Sequence, residues 1–308
     1  LGTVLIQYIY PTGEVTMIKD YVQLIRVRQW YKNWVIFLAL FFVGQLFLFS
    51  DLMLTIAGFF ALALVSSANY IINDLVDRDK DRHHPEKKNR PLAAGRVSTI
   101  EAIAICAVLL GGGAWLAWYL HPSFLIIVAL LFALSQVYNF LLKEIIFADI
   151  LTIASLFVLR AVAGAVLLQV KISPWLILCP FFLSLFLSVG KRHADVLLLQ
   201  ENAGQTRKVL VDYNHGITSA LMIISTTLLI ISYALYSFLS DHNNLLFTLP
   251  FALFVIFRYF SLVYRGSSIA RHPEQAFFDL PIVVGALLWG LLTFVILYFP
   301  QINLEILF

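Results

Sequence analysis

The chain of 308 residues is 61% hydrophobic and only 13% charged, with a formal net charge of +3 and a mean hydropathy of +0.88. Soluble domains average about 45–50% apolar and about 25% charged residues, so this composition excludes an ordinary soluble enzyme, a disordered protein and a nucleic-acid binder. Cys106 and Cys179 both lie inside apolar runs, which excludes a disulfide scaffold and predicts two small buried side chains. The composition indicates a membrane protein with several spans.

The N-terminal segment, residues 1–33, mixes aromatic and basic side chains. Tyr21 and Trp30 stand among Lys19, Arg26 and Arg28, a pattern typical of amphipathic stretches that lie in the membrane interface. The short positive start and apolar core of a signal peptide do not precede the first apolar run. We therefore predict an interfacial segment that leads into the first membrane span.

Nine apolar runs follow, each about 20 residues long and therefore long enough to cross a bilayer as an α-helix. They lie at 34–50, 52–72, 99–119, 123–142, 146–168, 174–190, 217–239, 245–264 and 280–298. We expect an all-α bundle of nine transmembrane helices that forms one domain over residues 1–308.

Basic residues gather in alternate connections between these runs. Of the 21 Lys and Arg residues, all but Lys171 and Arg160 lie in the N-terminal segment, in the second, fourth, sixth and eighth connections, or, as Arg258 does, in the run just before the eighth connection. Cytoplasmic loops of membrane proteins are enriched in Lys and Arg. We therefore expect an inner or plasma membrane protein with a cytoplasmic N-terminus and an external C-terminus.

An acidic cluster begins the second connection, directly after an apolar run. It reads Asn73-Asp74-Leu75-Val76-Asp77-Arg78-Asp79-Lys80-Asp81. At about 100° per helical residue, Asp74, Asp77 and Asp81 fall within about 60° of one another, whereas Asp79 points away. Together with Asn73 they form a set of hard oxygen ligands of the kind that Mg²⁺ accepts, with water and substrate phosphates completing the coordination.

The alternative for this stretch is a solvated loop in which each Asp pairs with a neighbouring Arg or Lys. Acidic groups at a membrane boundary are costly and tend to be functional, which favours the metal site in a chain so poor in charge. The basic loop that follows, with Arg90 and Arg96, is suited to close over a polyphosphate. Residues 73–98 are thus predicted to form a cytoplasmic active-site segment.

The acidic pattern and the Arg90-Pro91-Leu92-Ala93-Ala94-Gly95 run behind it resemble the first signature of the UbiA superfamily of intramembrane prenyltransferases. The resemblance covers essentially the whole chain. It implies an all-helical bundle around a central cavity, a Mg²⁺-dependent diphosphate site on the cytoplasmic side, and a long lipid chain that enters the cavity from the bilayer.

The second acidic motif of that superfamily, DxxxD after the sixth span, is altered in this chain. The corresponding stretch reads Gly190-Lys191-Arg192-His193-Ala194-Asp195. It keeps one acid and gains a Lys-Arg pair, and both of these side chains bind phosphate oxygens directly. A second predicted active-site segment, 191–216, therefore exchanges metal ligands for phosphate ligands, which disfavours a prenyl diphosphate donor that needs two metal ions.

Two further motifs are similar to one branch of the superfamily, the decaprenyl-phosphate phosphoribosyltransferases. They are Arg28-Gln29-Trp30-x-Lys32-Asn33 and Leu159-Arg160-Ala161-x-Ala163-Gly164. The branch motif Lys-Arg-Tyr-Ala-Glu is matched in charge, with His193 and Asp195 as departures. The resemblance implies transfer of 5-phosphoribose from phosphoribosyl pyrophosphate to a polyprenyl phosphate, a step toward lipid-linked pentose donors for cell-wall polymers.

That reaction needs no protein nucleophile, because Mg²⁺ on the pyrophosphate and cations on the phosphates lower the barrier electrostatically. We predict catalytic roles for Asp74, Asp77, Asp81 and Lys191, the three Asp also being metal ligands with Asn73. The predicted substrate contacts are Lys32, Asn73, Arg90, Tyr138, Lys143, Arg160, Arg192 and Asp195.

Some of these residues have second interpretations. Tyr138 and Lys143 match positions where the superfamily often has a Tyr and a Lys near the diphosphate, but positive charge that anchors a loop explains Lys143 about as well. Arg160 is either a substrate contact or a structural charge paired with a carbonyl or with Asp149. Asp149 has Lys143 as another candidate partner. Arg207, Lys208 and Tyr213 are expected on a solvated surface, with a phosphate-binding lid as the alternative.

Two other functions fit parts of the sequence. An aromatic prenyltransferase that makes a quinone or haem precursor would share the fold, but its neutral ring acceptor needs little cationic charge. A transporter would also have many spans, but its charges belong near the membrane midplane, whereas these gather at one face. The sequence therefore favours the phosphoribosyltransferase.

Overall fold

The described part of the chain is helical. The computed structural model describes residues 12–83, 87–199, 208–210, 212–240 and 242–299, and these ranges contain no strand. The α-helices are α1 (Thr12–Ile25), α2 (Phe37–Phe42), α3 (Phe49–Val76), α4 (Arg78–Arg82), α5 (Thr99–Leu120), α6 (Pro122–Phe140), α7 (Ala148–Leu167), α8 (Pro174–Leu199), α9 (His215–Leu239), α10 (Leu249–Tyr264), α11 (Ser268–Arg271) and α12 (Leu280–Tyr298). The 3-10 helices are Val27–Ile36, Lys87–Asn89, Leu142–Glu144, Lys208–Leu210, Asn243–Thr248 and Pro273–Phe278.

Eight helices within these ranges are long and apolar enough to cross a membrane, namely α3, α5, α6, α7, α8, α9, α10 with the 3-10 turn before it, and α12. They coincide with eight of the nine predicted runs. The predicted all-α membrane fold is confirmed, and the predicted count of nine helices is approximate.

The first predicted span, 34–50, is built differently. The chain forms the 3-10 helix Val27–Ile36 and then the short α2, which ends where Gly44 adopts a φ of +77°. The Gln45 N–H bonds the Leu40 carbonyl and the Gly44 N–H bonds the Phe41 carbonyl, at 3.2 and 3.3 Å. This is the Schellman arrangement that stops a helix, and it favours glycine because of the left-handed backbone. The apolar run is long enough to cross a membrane, but Gly44 ends the helix inside it.

The two predicted polar segments are partly helical. In the N-terminal segment α1 buries Leu24 and exposes Ile18 and Val22, while residues 1–11 lie outside the described ranges. In the segment 191–216, α8 continues nine residues past its predicted end and reaches Leu199. Residues 200–207, including Arg207, and residue 211 lie outside the described ranges.

The long helices pack as successive neighbours around a central space. Helix α3 lies against α5, helices α6 to α9 each contact the next, and α10 packs on α12. The 3-10 helix Val27–Ile36 lies against α3 and α7 inside this arrangement. Tyr298 donates a hydrogen bond to the Phe41 carbonyl at 2.9 Å and accepts one from the Leu46 N–H at 3.2 Å. The short N-terminal helices therefore bridge α12 to α3 and α7.

Candidate active site

The acidic cluster lies at one end of the bundle, which we call the polar end. It consists of Asp74, Asp77 and Asp81 at the end of α3 and in α4. The backbone continues its helical hydrogen bonds through this stretch, with the Asp77 N–H on the Asn73 carbonyl at 2.9 Å and the Asp81 N–H on the Asp77 carbonyl at 2.8 Å. Asp74 and Asp81 are only 2% and 3% exposed. The loop after α4 covers them, because Leu92 and Val97 pack into the core formed by α3 and α5.

Arg90 joins two of the carboxylates. One nitrogen of its guanidinium, Nη1, lies 3.0 Å from Oδ1 of Asp74 and 2.5 Å from Oδ2 of Asp81. Arg26, which precedes the 3-10 helix, also bonds Asp74. The structure thus places the predicted residues Asp74, Asp81 and Arg90 together, and it adds Arg26, for which the sequence carries no distinctive signal.

Asp77 faces a different partner. Its carboxylate accepts two contacts from Nζ of Lys143, at 2.9 and 3.1 Å, and Lys143 belongs to the turn between α6 and α7. A helix break at Asp77, where φ is −91° and ψ is 4°, separates α3 from α4. The three carboxylates therefore lie at one end of the bundle as predicted, but Asp77 is turned toward the end of α6.

The cluster offers oxygen ligands that suit a hard cation. Within the described ranges, however, no three Asp, Glu, His or Cys side chains come close enough together to surround a metal ion. Mg²⁺ typically takes only one or two protein carboxylates and completes its shell with water and substrate phosphates. The pair Asp74 and Asp81 meets that requirement, and Asn73 stands one residue before Asp74 on α3.

The altered second motif forms a buried network of ion pairs. Nε of Arg192 lies 2.8 Å from Oδ2 of Asp149, and its Nη1 lies 3.4 Å from Oδ2 of Asp195. Arg271 of α11 contacts the other oxygen of Asp195 at 3.0 Å. The hydroxyl of Tyr213 donates to Oδ1 of Asp149 at 2.7 Å. These ion pairs join α7, α8 and α11. They engage the Arg192 guanidinium, which the sequence predicts as a phosphate ligand.

Several pairings differ from the sequence expectations. Asp149 pairs with Arg192 and with neither Arg160 nor Lys143. Eleven residues of helix α7, about 16 Å at 1.5 Å per residue, separate Asp149 from Arg160, so their pairing was out of reach. Tyr213, expected on a solvated surface, is 3% exposed.

Tyr213 stays protonated in this setting. Burial, reinforced by the Asp149 carboxylate, raises the pKa of its hydroxyl above the usual range. The phenol can therefore donate to Asp149 while it accepts the Phe147 N–H at 3.1 Å. Lys191, the next predicted residue, is exposed at the polar end, and Tyr138 lies close enough to Arg192 for an electrostatic interaction.

A second group of cations lies deeper in the bundle. Nε of Arg160 donates to Oδ1 of Asn33 at 2.9 Å, and its Nη1 donates to the Leu156 carbonyl at 2.7 Å. Lys32 lies close enough to the hydroxyl of Tyr70 for an electrostatic interaction, and the Arg26 guanidinium lies 5.0 Å from the centre of the Tyr70 ring. We call Arg160, Asn33, Lys32 and Tyr70 the basic pocket. The sequence predicts Lys32 and Arg160 but no role for Asn33 or Tyr70, although Asn33 belongs to a motif already noted.

An apolar cavity begins beside this pocket. Its volume is about 620 Å³, and its lining includes Val35, Phe157, Cys179, Tyr233 and Trp289. The Arg160 guanidinium lies 5.7 Å from the centre of the Phe157 ring. At the other end of the bundle the lining includes Lys171, Ser240 and His242. Cys106 is a buried free thiol as expected, whereas Cys179 lines the cavity.

Similarity to known proteins agrees with this architecture. The chain matches the UbiA prenyltransferase family over residues 32–282. A protein from Mycolicibacterium smegmatis named decaprenyl-phosphate phosphoribosyltransferase is 31% identical over 276 residues, which are 84% of this chain and 86% of the relative. A protein of the same name from Mycobacterium tuberculosis is 31% identical over 282 residues, 89% of this chain and 92% of the relative.

A solved structure has the same fold. The UbiA homolog from Archaeoglobus fulgidus with GPP and Mg²⁺ bound superimposes with a TM-score of 0.66 at 19% sequence identity, over 90% of this chain and 99% of that one. The predicted superfamily is therefore confirmed. Because the family match and both relatives cover most of its length, the chain belongs to the UbiA prenyltransferase family of membrane enzymes.

Proposed function

We propose that this enzyme transfers 5-phosphoribose from phosphoribosyl pyrophosphate to a polyprenyl phosphate, with Mg²⁺ and with release of pyrophosphate. The observation that carries the proposal is the set of cations around the carboxylates and the cavity, namely Arg26, Lys32, Arg90, Lys143 and Arg160. Two phosphorylated substrates bring more negative charge than a prenyl diphosphate and a neutral ring do. The names of the two mycobacterial relatives support the same reaction.

The acidic cluster is the part of this site that suits Mg²⁺. Of the predicted ligands Asn73, Asp74, Asp77 and Asp81, the pair Asp74 and Asp81 would hold the ion through oxygen atoms, with Asn73 beside it. Bound Mg²⁺ would neutralise the pyrophosphate as it leaves. Arg90 and Lys143 now balance these carboxylates. Once Mg²⁺ neutralises the carboxylates, the side chains of Arg90 and Lys143 are available to bind phosphate oxygens.

The residues act in the reaction through charge and position. The bond between C1 of ribose and the pyrophosphate oxygen breaks, its electron pair leaves with pyrophosphate, and C1 forms a new bond to an oxygen of the lipid phosphate. That oxygen is already anionic, so no side chain has to remove a proton. Lys191 adds positive charge at the polar end. The ion pairs of Arg192 with Asp149 and Asp195 hold α7 and α8 in position beside Tyr138.

The proposed reaction also implies how the protein is oriented in the membrane. A charged sugar phosphate does not cross a bilayer, so the polar end faces the compartment that contains the donor. We assign this to the cytoplasm, with a cytoplasmic N-terminus and an inner or plasma membrane location, because basic residues predominate there. The product serves as a precursor of lipid-linked pentose donors for cell-wall polymers.

A comparison of donors tests the proposal. The purified protein in detergent receives Mg²⁺ and either labelled phosphoribosyl pyrophosphate with a polyprenyl phosphate, or a labelled prenyl diphosphate with 4-hydroxybenzoate. We expect label in the lipid product only with the first pair, loss of turnover with EDTA, and recovery when Mg²⁺ is restored. Turnover only with the second pair would make the protein an aromatic prenyltransferase and overturn the proposal.

A further inference from the structure

Arg160 is a buried cation inside a membrane span. Its side chain lies in α7, is only 7% exposed, and contacts the Asn33 amide, the Leu156 carbonyl and the Phe157 ring. Within the described ranges no carboxylate lies within ion-pair distance of it. Charged groups away from water need a counter-ion, and an ionisable residue inside a membrane span marks a functional site. The site around Arg160 therefore calls for an anion.

Asn33 supplies an independent sign of a missing ligand. The residue is 1% exposed, and its Nδ2 has no hydrogen-bond acceptor in the described structure. Its Oδ1 already accepts from Nε of Arg160 at 2.9 Å and from the Ser66 hydroxyl at 3.3 Å. A flipped amide would turn its N–H groups against the Arg160 guanidinium, which can only donate, so this neighbour fixes the orientation. A buried donor without a partner is rare and needs an explanation.

The residues around Arg160 and Asn33 indicate the kind of anion that would bind there. Phe157, under the Arg160 guanidinium, and Val35, two residues after Asn33, both line the apolar cavity. Tyr70 lies within electrostatic reach of Arg160 and Lys32, and Arg26 reaches from the Tyr70 ring to Asp74. An anion at Arg160 would therefore lie between a lipid-sized apolar space and the acidic cluster.

We propose that the basic pocket binds the phosphate of the acceptor lipid while the hydrocarbon chain occupies the cavity. The proposal rests on the proposed function and assigns its substrates: Arg160 and Asn33 bind the acceptor phosphate, and the acidic cluster with Arg90 and Lys143 binds the donor. A phosphate monoester carries a charge of about −1.5 to −2 and has three acceptor oxygens. These satisfy the fork of Arg160 and the Nδ2 of Asn33 together.

The substitution Asn33→Asp tests this assignment sharply. It keeps the shape of the side chain, replaces the unpartnered Nδ2 by an oxygen and gives Arg160 an internal counter-ion. We expect an unchanged or higher melting temperature, because the charge of Arg160 is then balanced. We expect binding of farnesyl phosphate to weaken roughly 10- to 100-fold, since a charged hydrogen-bond partner is lost and a like charge is gained. A purely structural role for the Arg160–Asn33 contact predicts normal binding in this variant.

The binding experiment uses titration calorimetry without a donor, so it does not depend on the transfer reaction. Farnesyl phosphate, farnesol and inorganic phosphate are compared on the wild type, Asn33→Asp, Arg160→Gln and Arg160→Lys. The proposal expects both Asn33→Asp and Arg160→Gln to lose farnesyl phosphate but not farnesol, with partial recovery in Arg160→Lys. Arg258→Gln, which removes a surface partner of Asp279, is the matched control and should bind normally. Equal binding of inorganic phosphate and farnesyl phosphate by the wild type would overturn the lipid assignment.

Steady-state kinetics separate this proposal from the proposed function. If the wild type transfers phosphoribose, Asn33→Asp should raise KM for the polyprenyl phosphate roughly tenfold or more and leave KM for phosphoribosyl pyrophosphate nearly unchanged. The reverse pattern would overturn the assignment and leave the reaction standing. If the wild type transfers no phosphoribose, the proposed function fails, and the calorimetry still decides whether the pocket binds a lipid phosphate.

Discussion

Arg90 is the residue that joins the two buried carboxylates of the acidic cluster. It contacts Asp74 and Asp81, both nearly inaccessible to solvent, through a single nitrogen. Two carboxylates held this close repel each other unless a cation lies between them. Arg90 and Mg²⁺ can therefore perform the same electrostatic task at different stages of binding.

Replacing Arg90 by glutamine makes this exchange measurable. In the absence of Mg²⁺ we expect Arg90→Gln to lower the free energy of unfolding by about 1–3 kcal/mol, because two buried carboxylates lose a charged partner. Mg²⁺ should then raise the melting temperature of the variant more than that of the wild type. Arg78→Gln, which loses a hydrogen bond to Thr99, is the control. Equal Mg²⁺ responses in all three proteins would contradict a metal site at Asp74 and Asp81.

Asp77 and Lys191 are the residues for which activity is the direct readout. We expect Asp77→Ala and Lys191→Ala each to slow phosphoribosyl transfer at least about tenfold, because each removes a charge next to the phosphates. Arg265→Ala is a matched control for Lys191, since both are exposed cations at the polar end. Near-normal transfer rates in both test variants would remove these residues from the active site.

At the scale of elements, the contact between the 3-10 helix Val27–Ile36 and α7 positions the basic pocket. Gly164 makes that contact possible, because a Cβ at this position would lie 2.1 Å from the carbonyl oxygen of Ile36. The close approach brings Asn33, one turn before Ile36, to Arg160, one turn before Gly164. The backbone packing thus determines which side chains meet.

Gly164→Ala should disturb both stability and the pocket. We expect a loss of about 1–3 kcal/mol in the free energy of unfolding, typical of overpacking against a rigid neighbour, and a raised KM for the lipid acceptor. The measurements are thermal unfolding and acceptor kinetics. Gly111→Ala in α5 is the control, because no atom lies within 4 Å of its Cβ position. An unaffected Gly164→Ala would show that the 3-10 helix can move without consequence.

At the scale of the whole molecule, charge and apolar space are separated along the bundle. The carboxylates and most cations lie at the polar end, and the cavity of about 620 Å³ extends from Phe157 toward Lys171 and His242. The outer surfaces of the long helices expose apolar side chains such as Trp118, Leu130 and Leu287, as contact with lipid requires. A substrate with a charged head and a long apolar tail matches this distribution.

Partial filling of the cavity should select against long acceptors. We expect Cys179→Phe, which projects a ring into the cavity, to raise KM for a long polyprenyl phosphate about tenfold and to leave a C10 prenyl phosphate nearly unaffected. Leu178→Phe, at the neighbouring exposed position, is the control. If Cys179→Phe changed KM equally for long and short prenyl phosphates, the hydrocarbon tail of the acceptor would have to lie outside this cavity.

Much of this molecule follows from local sequence. Continuous apolar runs determined eight spans, because a helix long enough to cross a bilayer satisfies its own backbone hydrogen bonds. Helical spacing across the end of α3 and into α4 placed Asp74 and Asp81 on one side, where Arg90 joins them, whereas Asp77 is turned toward Lys143. The motifs around these residues were sufficient to assign the UbiA family, and the match over residues 32–282 confirms that assignment.

Tertiary structure alone decided the pairings between distant segments. The contact of Arg160 with Asn33 joins residues 127 positions apart, and that of Arg192 with Asp149 joins residues 43 positions apart. Both depend on how closely two helices approach, which small residues such as Gly164 control and which no local pattern encodes. The sequence by itself determined the membrane fold and the acidic chemistry, because these arise from residues near one another in the chain. Which cations balance carboxylates and which remain for a substrate became visible only when the helices were packed.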